Sequence, residues 1–376
     1  MIFRSFVILV CISLAGCSSI GPHQVKLDRN RYNDVIQQTN NEQLLMNIVR
    51  LRYVEPVTNL KLTNVTSSYT FNSSITTAGT GLSFINASAS APGGAGPSQT
   101  KTLNIDPGVQ YSDTPTISYA PVENSVFAEE MMSPLKLYKV HLLAYGGISD
   151  TQLVMRLVFQ NINDMDNASS ASSEKMRALP DYKKYYRFVD KLSYLIDNNE
   201  AYFRLKKING NSVWSIYFPP KYSHTQKADE IRNLLHVKNN TKNEIILSDV
   251  YLDKKQDNLV FVRMRSLYGM MIFLSYGVQI PESDIEKHYV YTYYNADGTP
   301  YDWAPLTKGL LTVYSSDTEP KDVFVKTMSH GHWFYIENSD LDSKATFLLL
   351  VRLIALSSAA LDKLGGAGPL LTLPAR

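Results

Sequence analysis

The sequence predicts an α+β fold in which helices are mixed with mainly antiparallel strands. Apolar residues recur at helical spacing before Pro56, whereas from Val57 onward they recur at every second position among Thr, Ser and Asn. The dipeptide Asn209-Gly210 separates two runs of alternating apolar residues, which is typical of a tight hairpin. Helices beside hairpin-connected strands are typical of this class.

The first third of the chain predicts one helix followed by a long β-hairpin. Asp28 or Asn30 can cap a helix that runs to about Tyr53 and stops before Pro56. Residues 57–120 then predict an extended β-hairpin. Their middle part, residues 78–100, is rich in Gly, Ala and Ser and is expected to form a flexible tip.

The remaining elements follow from the same rules of periodicity and capping. Helices are predicted over 123–145 with a break before Pro134, then over 150–162, 182–196, 228–235, 267–276 and 345–361. Strands are predicted over 202–208, 213–218, 244–252, 258–264, 310–314, 323–328 and 333–337. Asp342 or Ser343 can cap the last helix, and Arg352 near its middle indicates a buried C-terminal core helix rather than a membrane span.

The N-terminus has the pattern of a secretory signal peptide. Arg4 precedes an apolar run over 6–14 that is too short to span a bilayer and ends in Leu-Ala-Gly-Cys at Cys17. This ending resembles the lipobox of bacterial lipoproteins, which implies cleavage before Cys17 and acylation of that residue. Ser18 stands where an Asp would be the usual signal for retention in the inner membrane. The resemblance therefore implies an anchor in the outer membrane, on its periplasmic face.

These boundaries lead to a prediction for the whole chain. We expect a signal peptide over 1–16, a lipidated tether over 17–27, a region of helix, extended hairpin and further helices over 28–165, and an α+β region over 174–376. The last two regions can equally form one continuous domain. The body behind the tether is long enough for one large domain or two ordinary ones.

Composition excludes several classes of site. The only cysteines are Cys11, in the predicted signal peptide, and Cys17. A mature chain without a free thiol cannot form disulfides, zinc–thiolate sites, iron–sulfur clusters or a cysteine nucleophile. The net charge of +2 provides no overall field for nucleic acid, so no nucleic-acid partner is expected. No cofactor is expected either.

Several separated stretches resemble a family of uncharacterised proteobacterial envelope proteins. The stretches that carry this resemblance are 41–53, 115–121, 333–337, 340–344 and 371–374. The resemblance covers nearly the whole mature chain in separated blocks. It implies a lipoprotein-like architecture and no particular chemistry.

A weak metal-site pattern occurs near the C-terminus. His330 and His332 are predicted to lie on one strand, where residues i and i+2 face the same side, and Asp340 or Asp342 could be a third ligand. The alternative is a turn before a strand with two exposed rings, and it is preferred because nothing specifies the third ligand. The two aspartates also suggest a catalytic carboxylate pair, but helix capping explains their position better.

Aromatic clusters are the main binding candidates. One cluster contains Tyr289, Tyr291, Tyr293, Tyr294 and Tyr301 with Trp303, and its binding candidates are Tyr289, Tyr291, Tyr293 and Trp303. The other lies over 182–194 with Tyr at 182, 185, 186 and 194. Such rings can hold a peptide or a sugar by stacking and hydrogen bonding. In the alternative interpretation, alternate members line the core and only the others are exposed.

The leading functional prediction is a non-enzymatic lipoprotein with a structural or interaction role in an envelope assembly. Its expected partners are the membrane, through the anchor at Cys17, and other envelope proteins or further copies of itself. The first alternative is a subunit of an oligomeric outer-membrane pore or export channel formed by the 57–120 hairpin. This hairpin is similar to the Ser/Thr/Ala-rich strands of outer-membrane efflux lipoproteins. A hydrolase of envelope polymers is the second alternative, although the usual catalytic motifs are absent.

Overall fold

The chain has both helices and sheets, and the strand pairing is mainly antiparallel, so the predicted α+β class is confirmed. The structure, a computed structural model, describes residues 20–58, 60–78, 104–121, 125–145, 150–238, 243–250, 257–362 and 371–374. Residues 1–16, Cys17 and the predicted hairpin tip from 79 onward lie outside this part of the chain.

The helices and strands have the following bounds. The helices are α1 (Ile20–Arg52), α2 (Ser125–Met132), α3 (Leu137–Tyr145), α4 (Thr151–Val158), α5 (Lys183–Asp197), α6 (Gln226–Leu234), α7 (Leu267–Ser275), α8 (Glu282–Glu286), α9 (Ala304–Thr307) and α10 (Leu341–Asp362), with a 3-10 turn at Ser169–Ser172. The strands are β1 (Leu60–Ala78), β2 (Asn104–Pro121), β3 (Phe159–Ile162), β4 (Met165–Asp166), β5 (Tyr202–Ile208), β6 (Asn211–Tyr217), β7 (Glu244–Ser248), β8 (Leu259–Met264), β9 (Tyr314–Ser316), β10 (Val323–Ser329), β11 (His332–Glu337) and β12 (Leu371–Pro374).

The chain folds into two compact units. The first takes residues up to Asn59 and from Val122 to Gly366, and the second takes Leu60–Pro121 and the residues after Gly366. The first unit contains a six-stranded sheet with the order β4-β3-β8-β7-β6-β5. Strand β3 belongs to the predicted region 28–165, and strands β5 to β8 belong to the predicted region 174–376. Because these strands form one sheet, the two predicted regions share one core.

A tight turn of the predicted type joins β5 to β6. Asn209 and Gly210 have φ angles of +51° and +80°, and the flanking residues Ile208 and Asn211 pair across the hairpin. Two consecutive left-handed residues match the twist of the strands, and Asn and Gly adopt this conformation at low cost. The hairpin is therefore confirmed as predicted from this dipeptide.

The core of the first unit surrounds α7. This helix is apolar on every side, begins at an N-cap in which Ser266 Oγ accepts a hydrogen bond from the Gly269 N–H, and is buried along almost its whole length. A helix that is hydrophobic all round is stable only when other elements cover it. The predicted buried helix over 267–276 is thus confirmed.

A second sheet, with the order β10-β11-β9, lies in the same unit and packs against α1. Thr327 of β10 lies beside Met46 of α1, and Phe334 of β11 meets the ring of Tyr53 edge-on at 6.2 Å. This packing brings the β10–β11 turn close to the C-terminal end of α1.

The second unit is a three-stranded sheet with β2 at its centre, between β1 and β12. β1 and β2 pair antiparallel from Leu60↔Pro121 to Ala78↔Asn104, with one irregularity between Leu62 and Asn64. The predicted hairpin over 57–120 is confirmed for these strands.

Three predicted helix boundaries are wrong. Helix α1 begins at Ile20, ahead of the predicted caps at Asp28 and Asn30. Helix α4 is capped by Asp150 as predicted but ends at Val158, because its last carbonyls are bound by side chains from elsewhere and the chain continues as β3. Helix α10 begins at Leu341 with Asp340 as the capping side chain, not Asp342 or Ser343.

Helix α10 is buried on one face only. Phe347, Leu350 and Leu353 lie in the core, whereas Leu341 and Leu348 are exposed. Among the helices that the structure describes, none combines the length and apolar character needed to cross a membrane.

Candidate functional site

A surface cavity of about 680 Å³ lies in the first unit, where the C-terminal end of α1 meets the segment that follows α8. Its volume falls in the range of small-molecule binding sites. We call it the tyrosine cavity, and the residues that define it are Tyr53, Val54, His288, Tyr289, Tyr291 and Tyr294. The Tyr289, Tyr291 and Tyr294 residues are 50%, 40% and 56% exposed, so three aromatic rings are available to a ligand.

Tyr53 is held rigidly at the base of the cavity. Its hydroxyl donates a hydrogen bond of 2.7 Å to Asp284 Oδ2, and its ring stacks on the imidazole of His330 with centroids 4.1 Å apart. Burial and the hydrogen bond to Asp284 raise the pKa of Tyr53 far above its usual value. The phenol therefore keeps its proton and remains the donor to Asp284.

The two predicted histidines lie at the turn between β10 and β11. His330 and Gly331 form this turn with φ angles of +52° and +83°, and His332 is the first residue of β11, paired with Ser329. The prediction that both histidines lie on one strand is wrong, because His330 occupies a left-handed turn position. The alternative of a turn before a strand is correct, but the side chains are only 26% and 18% exposed.

Carboxylates from three different parts of the chain surround these histidines. His330 Nε2 lies 3.0 Å from Glu55 Oε1, and His332 Nδ1 lies 2.7 Å from Asp317 Oδ1. His332 Nε2 faces the buried Asp284 at 4.0 Å. We call Tyr53 and these five residues the histidine–carboxylate cluster. It joins the β10–β11 turn to the end of α1 and to α8.

The weak metal-site prediction finds no support in this geometry. Asp340 accepts hydrogen bonds from the backbone N–H and the hydroxyl of Ser343, at 3.0 and 2.6 Å, as a helix cap does. It therefore serves the capping role that was the alternative to a metal ligand or catalytic carboxylate. In the part of the chain that the structure describes, no three His, Cys, Asp or Glu side chains are grouped closely enough to hold a metal ion.

The structure separates the four aromatic candidates into two pairs. Tyr289 and Tyr291 line the tyrosine cavity and are exposed. Tyr293 and Trp303 pack against the core, where Trp303 stacks on Tyr276 with centroids 3.9 Å apart. Tyr289 and Tyr291 thus point outward and Tyr293 points inward, although the three are spaced two residues apart, so the segment contains both binding candidates and core residues.

The other tyrosine cluster is mostly structural. Tyr185 is fully buried and donates a hydrogen bond of 2.9 Å to the carbonyl of Met155, while Tyr186 donates to the carbonyl of Leu306. Tyr194 is the exposed member, 53% accessible, with the ammonium of Lys227 over its ring. This exposed tyrosine lies outside the tyrosine cavity.

Arg52 contacts the segment of the cavity wall that contains Tyr291. Its Nη1 donates to the carbonyl of Tyr291 at 3.2 Å, and its guanidinium lies over the ring of Tyr276 at 5.4 Å. Burial lowers the pKa of Arg52 from its usual value. The contacts with Tyr291 and Tyr276 hold the segment that carries Tyr291 in place.

Sequence reasoning missed most of the residues that position this site. Tyr53 and Glu55 lie in one segment, whereas Asp284 and Asp317 come from two others, and no local spacing links the three segments. A weak signal was available at Tyr53 and Glu55, which follow the predicted helix and precede Pro56. The predicted lipidation site, Cys17, lies outside the described residues. Neither a protein-family profile, nor a curated protein, nor a solved structure matches the chain.

Proposed function

We propose that the protein is a lipoprotein anchored at Cys17 to the outer membrane, where it acts on the periplasmic side by binding rather than by catalysis. Its role is an interaction role in an envelope assembly, and the tyrosine cavity is the contact site for its partner. The observation that carries this proposal is the group of three exposed tyrosines around a cavity whose base is fixed by Asp284 and His330. Tyrosines in such positions dominate many binding surfaces, because a rigid ring and a hydroxyl are ordered at low entropic cost.

The test uses the full chain in its own cell envelope, with a photo-crosslinking amino acid placed next to the cavity. We expect crosslinked partners to be lost when Tyr289 and Tyr291 are both replaced by alanine. The matched control is Tyr194→Ala, since Tyr194 is equally exposed on another surface. Equal crosslinking by the double variant and the control would contradict a role for the cavity.

The same cells test the anchor. Cys17→Ser removes the proposed acylation site, so the protein is expected to shift from the membrane fraction to the soluble fraction or to accumulate as the uncut precursor. If Cys17→Ser fractionates like the original chain, the anchor part of the proposal fails while the cavity part stands.

The register of the second unit favours a further candidate function, a subunit of an oligomeric outer-membrane pore. Directly opposed residues of an antiparallel pair lie on the same face of the sheet. One face then collects mostly apolar and aromatic partners, among them Val65↔Ile117, Phe71↔Tyr111, Ile75↔Pro107 and Leu373↔Ile117. The other face collects mostly uncharged polar partners, among them Asn64↔Ser118, Thr66↔Thr116, Thr70↔Ser112 and Asn72↔Gln110.

Strands with one lipid-facing and one water-facing side are what a membrane pore requires, and about 10 residues are enough to cross the bilayer. β1 and β2 have 19 and 18 residues and exceed this length.

We expect the detergent-extracted protein to have the mass of a ring of several copies. A second experiment measures pore conductance. Thr70→Leu places an apolar side chain on the polar face and is expected to reduce the conductance more than Tyr69→Leu on the opposite face. A monomeric mass in several detergents would remove the pore hypothesis.

A further inference from the structure

Two residues that line the tyrosine cavity, and one that stacks on Tyr53 at its base, have left-handed backbone conformations. Val54, His288 and His330 have φ angles of +59°, +56° and +52°. This conformation is unfavourable for residues with a Cβ atom, most of all for the β-branched Val54. Such strain persists only where the surrounding structure enforces it, and it occurs often at binding sites. The concentration of strained residues indicates that this surface is built to hold a fixed shape.

The cavity is also prepared for binding before a ligand arrives. The hydroxyl of Tyr53 is fixed by the buried Asp284, which is 1% exposed, and the ring of Tyr53 is held by His330. His330 in turn lies against Glu55. A rigid site binds more tightly because less conformational entropy is lost on association.

The charges of the lining disfavour anionic ligands. Glu286 belongs to the lining, whereas no lysine or arginine does among the residues that the structure describes. Arg52, the nearest buried guanidinium on α1, is committed to the carbonyl of Tyr291 and the ring of Tyr276. A phosphate or carboxylate ligand would be repelled by Glu286, which offsets the attraction of the lysine ammonium groups that lie over two of the rings.

Cationic ligands are disfavoured for a different reason. Aromatic faces attract ammonium groups, but Lys287 Nζ already lies 5.6 Å from the centroid of Tyr289 and Lys175 Nζ lies 5.4 Å from that of Tyr291. A second ammonium group would be repelled by these two lysines. The remaining chemistry is a neutral ligand with both apolar and hydroxyl-bearing faces.

We propose that the tyrosine cavity binds a neutral saccharide chain. The C–H faces of pyranose rings stack on exposed aromatic rings, here Tyr289, Tyr291 and Tyr294, and their hydroxyls both donate and accept hydrogen bonds. Glu286, His288 and Thr292 line the cavity and provide partners of both kinds. This inference rests on the proposed function, since it names the ligand class of the same contact site.

The test measures binding of short oligosaccharides to the full chain in detergent by calorimetry. Tetra-N-acetylchitotetraose and maltotetraose represent neutral saccharides, tetragalacturonate represents an acidic one, and tetralysine represents a cationic peptide. We expect saturable binding of at least one neutral probe and none of the charged probes. Binding of a charged probe alone, or of no probe, overturns the inference.

Variants locate the binding. We expect Tyr289→Ala and Tyr291→Ala each to weaken the affinity for the neutral probe by roughly tenfold, as loss of a central aromatic contact does. Tyr289→Phe keeps the ring and is expected to retain most of the affinity, while Tyr194→Ala is expected to leave it unchanged. Equal affinity in the Tyr289→Ala and Tyr194→Ala variants would place the saccharide elsewhere and overturn the inference.

The two proposals fail in different ways. If cavity variants abolish crosslinking in the envelope but neutral saccharides do not bind, the saccharide class is wrong and the contact site stands. If crosslinking is unaffected while a neutral saccharide binds in the cavity, the cavity is a glycan site and the proposed protein contact there is wrong.

Discussion

Replacing Arg265 by methionine is expected to lower the free energy of unfolding by roughly 3 to 5 kcal/mol, because several buried carbonyls lose their donor at once. Arg265 is 1% exposed, and Nη1 donates to the carbonyls of Arg156, Leu157 and Phe159 at 2.8 to 2.9 Å. Its Nη2 donates to the carbonyl of Asn167, and Nε donates to Ser172 Oγ. The guanidinium thus binds the C-terminal end of α4 and the segment after β4.

The charge of Arg265 is compatible with this burial. Burial lowers its pKa to about 10, which still leaves the guanidinium charged at neutral pH. The C-terminal end of α4 carries the negative end of the helix dipole, and it stabilises a cation placed there. Tyr185 donates to the carbonyl of Met155, Asn167 is a second donor to that of Arg156, and the backbone N–H of Arg265 donates to that of Val158. Every carbonyl of the last turn of α4 therefore has a donor.

Chemical or thermal unfolding of the purified chain measures this effect. The matched control is Arg263→Met, because Arg263 lies two residues earlier, on β8, and is exposed. It is expected to change the free energy of unfolding by no more than about 0.5 kcal/mol. The explanation is wrong if both variants are equally stable. Arg265→Lys, which reaches fewer carbonyls, is expected to fall between the two.

Replacing Asp284 by alanine is expected to cost roughly 1 to 3 kcal/mol of stability and to weaken ligand binding in the tyrosine cavity. The change leaves the buried hydroxyl of Tyr53 without its acceptor and removes the carboxylate that faces His332. With Tyr53 no longer fixed, the cavity loses its rigid base. Unfolding experiments measure the first effect, and the crosslinking and calorimetric assays measure the second.

Two further variants distinguish the hydrogen bond from the charge. Asp284→Asn keeps an oxygen acceptor for Tyr53 and is expected to retain more stability than Asp284→Ala. Asp317→Ala is the control within the same histidine–carboxylate cluster, because its side chain is 87% exposed and the cost of losing an exposed ion pair is small. Equal stability of Asp284→Ala and Asp317→Ala would show that the contact with Tyr53 contributes nothing.

Local features of the chain were predictable from the sequence because their causes are local. The Asn209-Gly210 turn follows from the conformational freedom of these two residues, and helix α7 follows from an apolar run of helical length. The alternation in residues 57–120 predicted the β1–β2 hairpin for the same reason. In each case a few neighbouring residues are sufficient to determine the element.

The predicted boundaries of helices and strands were wrong where a distant side chain or a turn determines where the element ends. Helix α4 was predicted to continue to residue 162, since its apolar pattern continues, but Arg265 and Asn167 bind its terminal carbonyls and the chain turns into β3. Likewise His330 belongs to a strand-like sequence, yet Gly331 makes a two-residue turn possible there. The competing interaction in each case was not visible in the local pattern.

The sequence by itself determined the α+β class, the positions of most elements and the aromatic segment that provides the three exposed tyrosines of the cavity. Only the tertiary structure decided that Tyr289 and Tyr291 face a cavity while Tyr293 and Trp303 pack inward, and that the cavity base is held by Tyr53 and Asp284, which are 231 positions apart. The physical reason is the range of the interactions. Periodicity and turn preferences act between near neighbours, whereas the site is assembled by the packing of α1, α8 and the β10–β11 turn, and that packing depends on the whole core.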